Sequence, residues 1–478
     1  RGLGDVYKRQ SYNNTFAEKH RIGAMAGMNM SYYSYNYNQQ NASGYGNDLF
    51  SYKYTGGATD KENFALSSDF VTYSLMSYFM RLNYTYDSRY YLTLTGRFDG
   101  SSKFGTENKW GFFPSVAASW NITEESFMED QRVVNNLRLR VGYGTAGNQN
   151  IPNYSYYTRY SPSSSLGSSI LTNDGMYGNP GLRWEKQGQF NVGLDFGAWN
   201  NRVSFALDYF NIKNEDLLME ISKPASTGYL KEISNVGAMK NEGVEFSLNV
   251  TPVQTKDFTW DVSFNIASSH NKVTRLDGKM KEKYKLGGWS NNEIQREGNL
   301  FVGESINNIY VYKFDRIVQE SDMDYVNSLD LGGRIVKPGD ILPLDANHDN
   351  IINDKDRRVV GKKDPDFYGG LQTTLSYKGF SLNVVATYSV GAKRNSYLYE
   401  TLMNSTGLDG THKDMLNRWT PTNTNTDIPR AYSESGRFGI GEVDWAVQDA
   451  SFFRLSAVTL SYTFCLLYTS DAADDTPC

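Results

Sequence analysis

Roughly a dozen stretches of the chain alternate apolar and polar residues for about 8–12 positions, most of them joined in pairs by a tight turn. That period belongs to a β-strand with two different faces. Phe380, Leu382, Val384, Ala386, Tyr388 and Val390 alternate with Ser381, Asn383, Val385, Thr387 and Ser389. Leu371 to Tyr377 alternates as well, and Lys378-Gly379 between the two runs reads as a two-residue hairpin turn. Tyr78, Met80, Leu82, Tyr84 and Tyr86 face away from Phe79, Arg81, Asn83 and Thr85, and Asp87-Ser88 turns the chain into Tyr90, Leu92, Leu94 and Phe98. Phe190 to Phe196, Val203 to Tyr209, Val244 to Val250, Trp260 to Ile266 and Val458 to Phe464 repeat the rhythm. An average soluble strand stops after about five or six residues. These runs are long enough to cross a bilayer when tilted.

Alternation alone leaves open which face is inside. A soluble barrel puts apolar side chains inward, and an outer-membrane barrel turns them to lipid. The polar faces here carry large charged groups: Arg97 and Asp99, Arg138 and Arg140, Asp195, Asp208, Glu245 and Asp261. The apolar faces are rich in Tyr, Phe and Trp toward the strand ends, as an interfacial girdle would be. Hairpin follows hairpin with no second kind of motif. The expectation is an all-β chain: a large antiparallel transmembrane β-barrel with apolar side chains outward, the alternative being a soluble all-β carbohydrate-binding protein.

Composition supports a wet interior. Only 39% of residues are apolar, against about 45–50% in typical domains, while 35 are Tyr. No apolar run reaches the length of a transmembrane helix. The net charge of −5 comes without a basic block, so nucleic acid is not an expected partner. No signal peptide opens the chain, which reads as part of a longer protein. Residues 1–10 (RGLGDVYKRQ) and 465–478 (CLLYTSDAADDTPC) break the local pattern and resemble translated sequencing-adapter sequence. They are expected to be non-native tails around a barrel portion at 11–464. Setting them aside removes both cysteines and with them disulfide or thiol chemistry.

Strands account for about 13 or 14 segments. The polar stretches at about 35–70, 145–180, 280–300, 315–365 and 391–450 read as long loops opposite short turns, and short helices are expected near Glu124–Asp130 and Tyr397–Asn404.

Several blocks resemble the SusC/RagA family of TonB-dependent outer-membrane transporters. Gly96–Met128 (GRFDGSSKFGTENKWGFFPSVAASWNITEESFM) is similar to that family's R-x-D-G-S-S and W-G-x-F-P-S hairpin. Val141–Ile151, Gly178–Lys186, Gly339–Arg357, Asp364–Leu382, Asp414–Arg430 and Asp449–Phe464 resemble further blocks in the family's order. The resemblance implies a 22-stranded barrel in the outer membrane of a Gram-negative, Bacteroidota-like bacterium. It also implies an N-terminal plug and TonB box, a SusD-like surface lipoprotein acting as lid, energy from TonB–ExbB–ExbD, and an oligosaccharide or peptide substrate. It implies a transporter and no enzyme, with a siderophore- or vitamin-type receptor as the alternative. The plug, the TonB box and some strands of that family have no counterpart in this sequence.

One motif suggests a cation. Asp345, Asn347, Asp349, Ile351, Asn353 and Asp356 fall at positions 1, 3, 5, 7, 9 and 12 of a calcium-type loop, Ile351 contributing its carbonyl. Asn350 stands where such loops place glycine, and position 12 is Asp, not the bidentate Glu. The reading is one structural calcium; the alternative is an Asx-rich turn closed by its own hydrogen bonds. Gly142-Tyr-Gly144-Thr-Ala-Gly147 matches G-x-G-x-x-G but is followed by Asn148 to Pro152, not by a helix start, so no nucleotide is expected there. His20, His270, His348 and His412 have no metal spacing. Trp184, Trp289, Trp419 and Trp445 could stack on sugar rings or anchor loops. No catalytic constellation emerges and the substrate-binding residues stay unassigned.

Overall fold

The computed structural model describes residues 2–46, 53–165, 168–173, 175–276, 284–285, 299–403, 410–431 and 436–463. Trp289 and 465–478 lie outside them.

Thirteen long strands, counted among the described residues, follow one another in chain order in a single sheet. They are β1 (Gly2–Phe16), β2 (His20–Ser43), β3 (Asp60–Tyr86), β4 (Tyr90–Ser101), β5 (Trp110–Asn121), β6 (Val134–Asn148) and β7 (Glu185–Ala198). Then come β8 (Val203–Glu215), β9 (Ala238–Gln254), β10 (Phe258–Arg275), β11 (Phe367–Tyr377), β12 (Phe380–Val390) and β13 (Phe452–Tyr462). Residues 2–10 form the start of β1 and pair with β2 from Ser34 to Ala26.

The connections alternate. Those at 17–19, 87–89, 199–202, 255–257 and 378–379 are two to four residues and 122–133 on the same side is twelve; of those on the other side 102–109 is eight, and 44–59, 149–184, 216–237, 276–366 and 391–451 are long. The short turns carry the chemistry their geometry needs. Asp87 and Ser88, Asn200 and Asn201, and Lys378 and Gly379 all have positive φ, the conformation that lets a hairpin turn match the twist of its strands. Tyr377 pairs directly with Phe380 across Lys378-Gly379.

Two expectations shift. The stretch expected as a loop at 35–70 is mostly strand, because β2 is 24 residues long and β3 is 27. At roughly 3.3 Å per residue such strands outrun a hydrocarbon core of about 30 Å; β2 continues as a Tyr/Asn/Gln ribbon whose sequence carries no hydropathy contrast, while β3 begins with Leu66 and Phe70 exposed on one face. Near 124–130 there are two 3-10 turns, Ile122–Glu124 and Ser126–Met128, and no α-helix. The expected helix at Tyr397–Asn404 is present as α1, Tyr397–Met403.

The chain divides into two compact units. The first comprises 1–126, 139–191 and 212–238, and it fixes which face is which. In β3, β4 and β5 the rows Tyr78–Phe98–Phe112, Leu82–Leu94–Val116 and Tyr86–Tyr90–Trp120 run across the ladder. Met80 is 64% exposed and Phe112 62%, whereas on the opposite face Ser77 is 0% and Asp99 7% exposed. The apolar side faces out and the ionic side faces in. Tyr86, Tyr90 and Trp120 stack at 6.3 and 6.4 Å at one end of the apolar rows. Trp110 stacks on Phe98 at 4.9 Å and on Tyr78 at 6.2 Å at the other end. Tyr78 and Tyr86 stand about 26 Å apart along the strand. Two aromatic belts that far apart, with Met80, Leu82, Leu94 and Val116 between them, match the apolar band of a membrane barrel.

The second unit, 127–138, 192–211 and 239–478, carries the ladder β10–β11–β12–β13, in register from Phe258–Tyr377 through Tyr377–Phe380 to Phe380–Tyr462. It also holds a body made from the long connections, described next.

Candidate functional site

In the first unit the inward face is ionic. Arg97 Nε donates to both oxygens of Asp99 at 2.8 and 2.7 Å, and its Nη2 donates to Ser77 Oγ at 2.9 Å. Paired charges of this kind can sit inside a wall that still holds water. Beside them Thr93, Ser115, Gly144, Gln187, Gln189 and Asn191 line a hollow of about 250 Å³, offering hydroxyls and amides and no net charge. The three glycines of the G-x-G-x-x-G run lie in β6. A Cβ on Gly147 would sit 2.1 Å from the Phe113 ring, so here the motif makes room for an aromatic ring.

The rim of this unit is anchored, not loose. Phe104, Phe113, Ile151, Leu182, Trp184 and Ile233 form a buried cluster. Trp184 Nε1 donates to Lys109 O at 3.1 Å. Arg183 clamps Asp216 through Nε and Nη2 at 3.0 and 2.8 Å. Lys103 donates to Ile151 O at 3.0 Å and lies 4.8 Å from the centre of the Tyr73 ring; burial pushes its ammonium below the ordinary lysine range.

In the second unit the long connections 299–366 and 391–451 do not behave as solvated loops. They pack a core of their own around Tyr312, Leu342, Met403, Trp419, Phe438 and Val443. A buried carboxylate organises it. Asp340, 1% exposed, accepts from Arg430 Nε at 2.8 Å, from Lys337 N at 2.9 Å and from Arg437 Nη1. Gly339, at φ +88°, has no room for a Cβ: it would meet the Trp419 ring at 2.4 Å. Arg334 pairs with Glu442 at 2.8 Å. Burial alone would raise Glu442; the Arg334 guanidinium and the Gly439 N–H outweigh it and hold the carboxyl below its ordinary range. Trp419 donates to Gln319 Oε1 at 3.0 Å, while Trp445 donates to Asp427 O at 2.8 Å and stacks on Tyr399 at 5.6 Å. These tryptophans, like Trp184, are anchors.

The expected calcium loop lies on this body. Asp345 and Asp356 are buried, at 5% and 0% exposure. Asp345 accepts from the N–H of Asp349 and Asn350 at 3.3 and 2.8 Å, and Asp356 from those of Ala346 and Asn353 at 3.1 and 2.8 Å. Asn347 Oδ1 and Asp349 Oδ1 accept from Asp349 N and Ile351 N at 3.0 and 2.9 Å. Asn353 Oδ1 accepts from Lys355 N at 2.9 Å. Asn350 has φ +62°, supplying the left-handed turn that glycine gives at that position. Among the described residues no three His, Cys, Asp or Glu side chains converge as metal ligands. The six positions therefore share one turn and all take part in its closure: side-chain oxygens of Asp345, Asn347, Asp349, Asn353 and Asp356 accept from its backbone N–H groups, and Ile351 donates its own N–H.

A further cavity, of about 580 Å³, lies in the second unit between the ends of β9 and β10 and the segments 303–308 and 359–362. The sequence reading missed it. Its signal was available: on one face the apolar rows of β9 and β10 give way to Glu242, Lys240, His270 and Lys272.

The family description "TonB dependent receptor-like, beta-barrel" matches residues 2–309. This chain belongs to the TonB-dependent receptor β-barrel family. TonB-dependent receptor SusC of Bacteroides thetaiotaomicron is 33% identical over 405 residues, which cover 82% of this chain and 38% of that protein. TonB-dependent receptor P3 of Formosa agariphila is 33% identical over 396 residues, covering 81% and 38%. The solved RagAB peptide transporter superposes with a TM-score of 0.79 at 27% identity, over 96% of this chain and 49% of that one. The chain thus spans less than half the length of these relatives. The SusC and RagA resemblance and the barrel architecture both hold.

Proposed function

We propose that this chain forms the wall and external body of a TonB-dependent importer of oligosaccharides or peptides in a Gram-negative outer membrane. It works with a SusD-like surface lipoprotein and is driven from the periplasm by TonB–ExbB–ExbD. The observation that carries this reading is the inverted burial of β3–β5, with Met80, Leu82, Leu94 and Phe112 outward and Ser77, Arg97 and Asp99 inward. A wall built that way encloses a polar passage in lipid. SusC and the RagAB peptide transporter support the choice of cargo class. A calcium ion on the Asp345–Asp356 loop is a secondary part of the same reading.

The test is genetic and biochemical. The full-length gene is deleted, and growth on single glycans and on peptide mixtures is compared with the complemented strain. Loss of growth on one of these, with the protein in the outer-membrane fraction and a lipoprotein co-purifying, is the expected result. Unchanged growth on all of them together with loss under iron limitation would replace it with siderophore uptake.

A further inference from the structure

The ribbon that β2 and β3 raise beyond the lipid band has two unequal sides. Tyr73 and Asp69 stand five and nine residues beyond the Tyr78 belt, about 17 and about 30 Å along the strand, so both sides of the ribbon are in water at that level. Tyr33, Tyr35 and Tyr37 lie on one side of β2 at every second position, and Tyr33 pairs across the ladder with Tyr73. Tyr33 and Tyr73 stack at 4.9 Å, and Tyr35 and Tyr37 at 6.3 Å. The other side carries Tyr32 and Phe70, apart from each other, among Ser34, Asn36, Asn38, Ser68 and Thr72. A solvent that is the same on both sides does not account for four contiguous rings on one of them.

The tyrosine side continues the inward face of the wall. Tyr73 has the parity of Ser77, a buried inward residue, and Leu75 between them packs against the rim cluster of Phe104, Phe113 and Trp184. Lys103 closes the lower end, 4.8 Å from the centre of the Tyr73 ring and 3.0 Å from Ile151 O. The upper end carries planar polar groups. Asp69 lies directly opposite Tyr37 and is exposed, and Gln39 Nε2 donates to Asn41 Oδ1 at 2.8 Å on the same side. At the level of Tyr33 and Tyr73 the backbone edges of the ribbon are taken. There β1 pairs with β2 up to Ser34, Ser102 N donates to Ser74 O at 3.0 Å, and Asn153 Nδ2 donates to Thr72 O at 3.4 Å. Side chains are what this level offers a ligand, which closes the strand-addition mode by which an extended peptide gains its main-chain bonds.

We propose that this face is an external seat for a neutral oligosaccharide, its apolar ring faces against Tyr33, Tyr35, Tyr37 and Tyr73 and its hydroxyls on Asp69, Gln39 and Asn41. A pyranose is amphipathic. Its axial C–H groups form an apolar face that suits the negative face of an aromatic ring, and its equatorial hydroxyls point sideways to where carboxylate and amide oxygens accept. Same-side positions recur about every 7 Å along a strand, so the row meets successive sugar units. The charge on the strip is the Asp69 carboxylate, which disfavours an acidic sugar. The inference rests on the importer reading and narrows its cargo to the oligosaccharide.

The full-length protein in mild detergent, separated from any co-purifying lipoprotein, is titrated calorimetrically with short starch, cellulose, mannan, xylan and fructan oligosaccharides and, as a contrast, with a casein peptide digest. Binding of at least one oligosaccharide is expected. Tyr37→Ala and Tyr33→Ala each weaken it by about tenfold, the scale of one stacked ring, and Tyr37→Phe keeps it. Asp69→Asn weakens it by about fivefold, as loss of a charged acceptor does. Phe70→Ala, which removes a ring from the opposite side, leaves it at the wild-type level. Tyr37 and Asp69 are exposed, so their variants keep the fold, checked by heat-modifiable migration. Absence of binding to every one of these oligosaccharides, wild-type affinity in both alanine variants of the tyrosines, or an equal loss in Phe70→Ala overturns the proposal. Tighter binding of the peptide digest that Tyr37→Ala abolishes also overturns it, by making the face a peptide seat. Failure of the importer reading shows separately: the wild-type protein binds the oligosaccharide in the calorimeter, yet deletion of its gene leaves growth on that glycan unchanged.

Discussion

The wall and the body built from the long connections solve the burial problem in opposite senses. On the outward face of β3–β5 large apolar side chains such as Met80 and Phe112 are exposed, and the buried positions of the other face include Ser77 and Asp99. In 299–366 and 391–451 the arrangement is that of a water-soluble protein, with Leu342, Met403 and Val443 at or near zero exposure. Each is what its solvent demands. Lipid gives apolar side chains no reason to leave it, and backbone polar groups are then satisfied only by the ladder. Water drives apolar side chains together wherever the chain can cover them. The body therefore needs its own core and its own internal ion pairs, while the wall draws its order from register and turn geometry.

The contrast can be broken at several points. The largest effect is expected in the body. Asp340→Ala removes the counter-charge of Arg430 and Arg437 inside a packed core and should cost about 3–5 kcal/mol, the scale for breaking a buried pair. Limited proteolysis should then cut within 320–450 while the wall stays resistant; simultaneous loss of both would mean they are not separable. In the wall, Leu82→Arg places a charge in the middle of the outward band and should cost about 2–4 kcal/mol in lipid vesicles, read by urea titration of the folded fraction. A cost under about 0.5 kcal/mol, normal for an exposed site in water, would defeat the lipid-facing assignment.

Smaller changes sharpen the picture. Gly379→Ala forces a Cβ into φ +87° at the β11–β12 turn and should cost about 1 kcal/mol, measured in the same titration. Glu442 is held below its ordinary range when folded. Its contribution is fully present above the unfolded carboxylate value of about 4.3 and is lost as pH falls through the lower folded one. Proteolytic resistance of the body should therefore fall on acidification below about pH 4, and Glu442→Gln should remove that part of the pH dependence; an unchanged profile would shift the effect to other acids. The smallest effect concerns the Asp345–Asp356 loop. If calcium occupies it, chelation lowers the melting temperature of the body by a few degrees, as loss of a native-state ligand does. No change on chelation, with Asp345→Asn still destabilising, leaves the N–H bonds to these carboxylates as the whole basis of the turn.

Much of the wall was legible in the sequence. Lys378-Gly379 and Asp87-Ser88 sit at the turns their chemistry suggested, and the two faces of Tyr78–Tyr86 separate as the alternation implied. The ribbon beyond residue 35 in β2 was not legible, because alternation of Tyr with Ser and Asn carries no hydropathy contrast. Neither was the role of Trp184, Trp419 and Trp445, whose partners Lys109, Gln319 and Asp427 lie far away in sequence for two of the three. In the candidate calcium loop the spacing was visible, but the turning of Asp345 and Asp356 onto backbone N–H groups depends on how the loop closes.

By itself the sequence determined the strand period, the turns, and the separation of ionic from apolar faces, because each is a property of residues a few positions apart. Only the tertiary structure decided that the polar-looking connections fold around Asp340 and Trp419, and that Lys240, His270, Lys272, Glu304 and Asn308 surround one cavity. Those outcomes rest on which distant surfaces can exclude water together, and no local pattern records that.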